Sequence, residues 1–126
     1  MSAHLFLLII VIALHSALLG NTNQKISDEN QIKTFFEQGI SAYNKKDFTA
    51  ACDCFEKAEL LSPDNIDVVK NLANSYYYAH DLEKSFMTFN KLSKLAPSDS
   101  NIYSNIGLIA KAVAIEQPSS FNFLNA

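Results

Sequence analysis

Residues 47–63 read DFTAACDCFEKAELLSP, and residues 81–97 read DLEKSFMTFNKLSKLAP. Asp47 and Asp81, Ala51 and Ser85, Phe55 and Phe89, Lys57 and Lys91, and Pro63 and Pro97 all share a single offset, 81 − 47 = 34. A fixed period of this length marks a repeat architecture, in which each unit stacks on the next because it cannot bury its apolar face alone. A generic helical bundle repeats its apolar residues in heptads but imposes no such interval on its turns and stops.

Within each copy the apolar positions recur at three and four residues, the spacing of one helix face. Ala51, Phe55, Ala58 and Leu61 form one stripe, and Ser85, Phe86, Phe89 and Leu92 form its counterpart. Pro63 and Pro97 cannot continue these helices, and Asp64 or Asn65 is placed to cap the next one. Upstream, Ile32, Phe35, Phe36, Gly39, Ala42 and Tyr43 predict a first helix ending near Lys45. Asp28 followed by Gln31 fits a capping box that would open this helix, with Ser27 as the alternative cap. Residues 66–79 predict a third helix with Val69, Leu72, Ala73 and Tyr76 inward, and a fifth runs from about Ser100 to Ile115.

The pattern resembles the tetratricopeptide repeat (TPR), a helix–turn–helix unit with this period. The resemblance implies an all-α fold of antiparallel helix–turn–helix repeats stacked as a short right-handed α-solenoid. Its domain would be residues 32–116, with repeats at 32–65 and 66–99 and a partial third at 100–116. Residues 117–126 would be an apolar tail. Small residues belong where the helices of a unit cross: Gly39, Ala73 and Gly107 on the first helices, Ala51 and Ser85 on the second. Phe35, Phe48, Phe55, Tyr76, Leu82, Phe89 and Tyr103 would fill the space around them. Leu92, where the family usually has Ala, and Gln38, where it usually has Leu, depart from the pattern and bear on local packing.

Residues 1–20 have a different character. Leu5 to Leu14 is unbroken apolar sequence, and Ala17-Leu18-Leu19-Gly20 leads into polar Asn21-Thr22-Asn23-Gln24. This order fits a secretory signal peptide cleaved after Gly20, with 21–31 as a polar lead-in. The alternative is a membrane anchor through residues 5–20, although a span needs roughly 20 apolar residues. The reading favoured on length is export, to a secreted or periplasmic location.

Composition narrows the function classes. Apolar residues make up 48% and charged residues 18%, enough apolar sequence to build a core. The net charge is −3 and every basic residue but the histidines is lysine, without a basic run, so binding to nucleic acid through charge is not expected. Cys52 and Cys54 lie two apart on a helix and point to different sides, so they read as free thiols rather than a disulfide or a metal site. The sequence has no nucleophile elbow, phosphate loop or histidine cluster. It is therefore read as non-enzymatic and without a cofactor or metal.

The resemblance implies a concave face built from the first helix of each repeat. Candidate peptide-binding residues on it are Tyr43 and Asn44, then Lys70, Asn74, Tyr77 and Tyr78, then Asn105. Lys70, Asn74, Tyr77 and Tyr78 are spaced to share one helix face. Amides can satisfy the backbone of an extended peptide, and tyrosine offers apolar area with a polar tip. Lys70, Asn74 and Asn105 are also similar to part of the carboxylate clamp found in some TPR domains. The expected function is binding of a protein or peptide partner. The fifth helix carries apolar residues nearly all round, so Ile109 and Val113, with Phe121 and Phe123 of the tail, are candidates for a homo-oligomer or partner interface. Two alternatives stay open: a structural or assembly subunit joined through that helix, and a piece of a longer array. Membrane contact is expected only if the N-terminal segment is retained.

Overall fold

A computed structural model describes residues 2–116, all of whose regular elements are helices: α1 (Ala3–Asn44), α2 (Phe48–Leu61), α3 (Ile66–Tyr78), α4 (Leu82–Leu95) and α5 (Ser100–Glu116). The architecture is an all-α, TPR-like solenoid in which α2 packs on α3, α3 on α4 and α4 on α5. The chain divides into two compact units, Met1–Gln31 and Ile32–Ala126. In the first, residues 2–27 are all solvent-exposed, and an 18-residue window of α1 has a mean hydropathy of 2.3 with none of it buried.

The capping box expected at Asp28 is not formed. The helix begins at Ala3, and residues 3–44 contain no proline to stop it. Asp28 accepts a hydrogen bond from Gln24 Nε2 at 2.7 Å, and Gln31 Nε2 donates to Ser27 Oγ at 3.3 Å. These side chains link successive turns of a helix instead of closing its end.

In the second unit the repeat is visible in the backbone. Lys46 and His80, one period apart (80 − 46 = 34), both have φ 62°, the left-handed conformation that ends a helix. The Asp47 N–H donates to the Ala42 carbonyl, and the Asp81 N–H donates to the Tyr76 carbonyl at the same offset. Asp47 Oδ1 then accepts from the Ala50 N–H, and Asp81 Oδ1 from the Lys84 N–H, each at 3.1 Å. Asn65, rather than Asp64, caps α3 by accepting from Asp67 and Val68, and Asp99 accepts from Asn101 one period later.

Two cores straddle the repeat boundaries and meet at α3. Ala51, Cys52 and Phe55 of α2 pack with Leu72 and Tyr76, and Phe36 and Ile40 of α1 lie against them. Phe89 and Leu92 of α4 pack with Val69, Ala73, Ile102, Ile109 and Val113. Small residues sit at two of the predicted crossings. A Cβ on Gly39 would lie 2.6 Å from the Phe55 ring, and buried Ser85 donates to the Ala73 carbonyl at 2.9 Å. Gly107 has nothing within 4 Å of the place its Cβ would take. Tyr103, expected to fill a gap, is 50% exposed, and its hydroxyl donates to the Pro97 carbonyl at 3.2 Å.

Burial corrects the reading of the fifth helix. Ile109 and Val113 are 1% and 3% exposed, inside the core, and so form no surface patch. With Ile102 they make a single helix stripe, at steps of seven and then four, and that stripe lies on α3 and α4. The apolar side chains left outside are Leu108 and Ile115. Phe121 and Phe123 lie outside the described residues.

Candidate binding groove

The helix registers that bury Val69, Ala73 and Ile109 leave the flanking turns of α3 and α5 facing a shared cleft. Asn74, Tyr77 and Tyr78 of α3 stand opposite Asn105 and Leu108 of α5, with Phe89 and Ile109 also in the lining, around a cavity of about 240 Å³. Two further hollows continue from it. Tyr77 and Tyr78 are shared with a hollow of about 140 Å³ that reaches His80, Leu82, Ala112 and Glu116. His80, Leu82 and Glu116 in turn border one of about 330 Å³ that also contains Asp81, Glu83 and Val113.

Four of the candidate residues, Asn74, Tyr77, Tyr78 and Asn105, thus line one cavity. Tyr43 enters through an aromatic cluster. Its ring meets Phe48 edge-on at 5.3 Å and Tyr78 at 5.8 Å, while Phe48 and Tyr78 stack at 5.1 Å. Burial, followed by the neighbouring Tyr78, raises the Tyr43 hydroxyl pKa above 10.0. Tyr78 is held by these rings, whereas Tyr77 meets the cluster only through Tyr78, at 5.3 Å. Asn44, the exposed last residue of α1, does not line the cavity.

Lys70 also lies outside the lining. Its ammonium is 3.6 Å from Asp99 Oδ2, on the residue whose other oxygen caps α5. Of the three residues similar to a carboxylate clamp, Asn74 and Asn105 line the cavity, while Lys70 lies outside its lining, beside an N-cap carboxylate one repeat away. Sequence spacing places Lys70 on the right helix but carries no sign of this partner.

Polar contacts also join α2 to α3 and α4. Tyr76 donates its hydroxyl to Glu56, Lys84 lies 5.2 Å from the Tyr76 ring centroid, and Lys91 pairs with Glu59 at 2.6 Å. Burial, with Glu56 next in effect, raises the Tyr76 hydroxyl pKa far above its usual value. Cys52 is buried and Cys54 partly buried, both as free thiols. Burial, then the nearby carboxylates, pushes Cys52 up to about 11, which keeps it a neutral thiol. Among the described residues no group of three His, Cys, Asp or Glu side chains is arranged to hold a metal ion.

The sequence matches no protein-family model. Over 84 residues it is 29% identical to the photosystem I assembly protein Ycf3 of Prochlorococcus marinus subsp. pastoris, covering 64% of this chain and 49% of that protein. Over 86 residues it is 27% identical to the protein of the same name from Prochlorococcus marinus strain NATL1A, covering 66% and 50%. The chain spans about half the length of the curated relatives it matches.

Proposed function

We propose that this chain is a non-catalytic protein-binding module that holds an extended segment of a partner in the α3–α5 groove, and that it serves in the assembly of a protein complex. The observation that carries the reading is the convergence of Asn74, Tyr77, Asn105 and Leu108 on one open cavity. Tyr77 is 38% exposed and Leu108 62% exposed, so apolar area is available to a ligand, and the two amides can bond its backbone. The names of the distant relatives favour an assembly role. The apolar N-terminal segment supports delivery to a membrane, with export and cleavage near Gly20 as the favoured route and retention as an anchor as the alternative.

Photo-crosslinking tests the groove. A photoreactive residue at position 108 should form adducts with partner proteins, and the same residue at position 87 should not, because exposed Met87 is on α4 and does not line the groove. Tyr77→Ala should remove the adducts formed from position 108. Equal adducts from both positions would contradict the proposal. Mass spectrometry of the protein from its own host tests the segment: a chain starting near Asn21 supports cleavage, and an intact terminus in membranes supports the anchor.

A second reading, self-association along α5, is favoured by the exposure of Leu108 and Ile115, 62% and 70%. Light scattering on the wild type and Ile115→Glu separates it from the first: a dimer lost in the variant supports it, and a monomer in both removes it.

A further inference from the structure

The groove changes character along its length. The part between Asn74, Tyr77, Asn105 and Leu108 is uncharged. The far end is bordered by Glu83 and Glu116, beside His80 and Asp81. Among the described residues, neither Glu83 nor Glu116 has a lysine or histidine nitrogen within ion-pair distance. Lys84, next to Glu83 in sequence, is instead 3.9 Å from Glu56 and 3.8 Å from Asp81. Lys70, the cation among the candidate residues, lies outside the groove lining and 3.6 Å from Asp99.

A ligand lying along this groove therefore passes from neutral amide and aromatic surface to uncompensated negative charge. We infer that the groove accepts an extended polypeptide segment in which an apolar residue is separated by about four residues from a lysine or arginine, in preference to a C-terminal carboxylate. The inference rests on the groove-binding reading given above. The spacing follows from the helix: Leu108 precedes Glu116 on α5 by slightly more than two turns, 116 − 108 = 8. At about 1.5 Å of rise per residue they are about 12 Å apart along the axis, the span of about four residues of extended chain. The apolar residue packs on Leu108 and Tyr77, the peptide amides meet Asn74 and Asn105, and the cation lies between Glu83 and Glu116. Exposed carboxylates contribute selectivity and faster encounter more than raw affinity.

The test is selection of random dodecapeptides, displayed with neutral linkers at both ends, against the full chain in detergent micelles. The expected winners carry Lys or Arg about four residues from Leu, Phe, Tyr or Pro. Their affinity, measured by fluorescence anisotropy, falls about threefold to tenfold in the Glu83→Gln, Glu116→Gln double variant, and also falls as salt rises. Tyr77→Ala abolishes binding, and circular dichroism shows all variants folded. Winners that need Tyr77 but carry no cationic bias, or that ignore both glutamate substitutions, overturn this inference and leave the groove reading standing. Failure to select any peptide, or winners indifferent to Tyr77→Ala, overturns both.

Discussion

Gly39 and Gly107 occupy equivalent places in the repeat, separated by exactly twice the period (107 − 39 = 68). Their surroundings are opposite. Gly39 is buried under the Phe55 ring, so closely that a methyl group would overlap it, while Gly107 is exposed with nothing within 4 Å of the place a Cβ would take. Ala73, midway between them, is wholly buried against the α4 helix. A small residue at this position marks where two helices can approach. Among the described helices, the approach is made where a second helix brings its aromatic side chain, as α2 does with Phe55 and α4 does with Phe89.

The largest expected effects break the closed side of this comparison. Gly39→Leu should cost more than about 3 kcal/mol, because Phe55 is fully buried and cannot swing away. Phe55→Ala and Phe89→Ala should each cost about 3–5 kcal/mol. Gly107→Ala should instead leave stability unchanged or raise it by up to about 1 kcal/mol, since helix propensity improves and no contact is lost. Thermal melts of this set check the contrast, and equal losses at Gly39 and Gly107 would refute it.

A smaller effect is expected at the two turns. Lys46 and His80 both adopt a left-handed conformation that glycine takes without penalty. Lys46→Gly and His80→Gly should each raise stability by about 0.5–1 kcal/mol in denaturant titrations, with similar gains because the turns share one hydrogen-bond pattern.

The smallest effect is on alkaline stability. Cys52 rises from 9.0 to about 11 on folding, and Tyr43 and Tyr76 rise above 10.0, so the folded state favours the protonated forms. Their contribution is complete below pH 9.0 and is lost as the pH climbs through about 11 for Cys52 and above 10.0 for the tyrosines. Tyr43 is only half-buried, so solvent screens its share of the decline. Cys52→Ala should flatten its first part, measured as melting temperature against pH.

Helix boundaries within the repeats were legible because apolar spacing, the proline stops and the Asp64–Asn65 cap position all pointed to the same places, whereas the capping by Asp47 and Asp81 is seen only in the structure. α2 and α4 run over Phe48–Leu61 and Leu82–Leu95, as the two quoted stretches indicate. The start of α1 was not legible. Polar residues near Asp28 resemble a cap, but nothing nearby prevents the helix from continuing, and their side chains bond along it instead. The groove was partly legible. Helical spacing groups Asn74, Tyr77 and Tyr78, but a single-helix pattern cannot reveal that Asp99, one repeat on, takes Lys70. Nor can it reveal which face of an almost wholly apolar α5 turns inward, and there Ile109 and Val113 proved to be core.

The central claim, that partner binding occurs in the α3–α5 groove, is tested most directly by calorimetric titration of one selected peptide into three variants of the full chain. Tyr77→Ala and Leu108→Ala should each abolish the binding heat, while Met87→Ala, on α4 and outside the groove, should bind as the wild type does. Loss of binding in Met87→Ala with retention in the other two would contradict it.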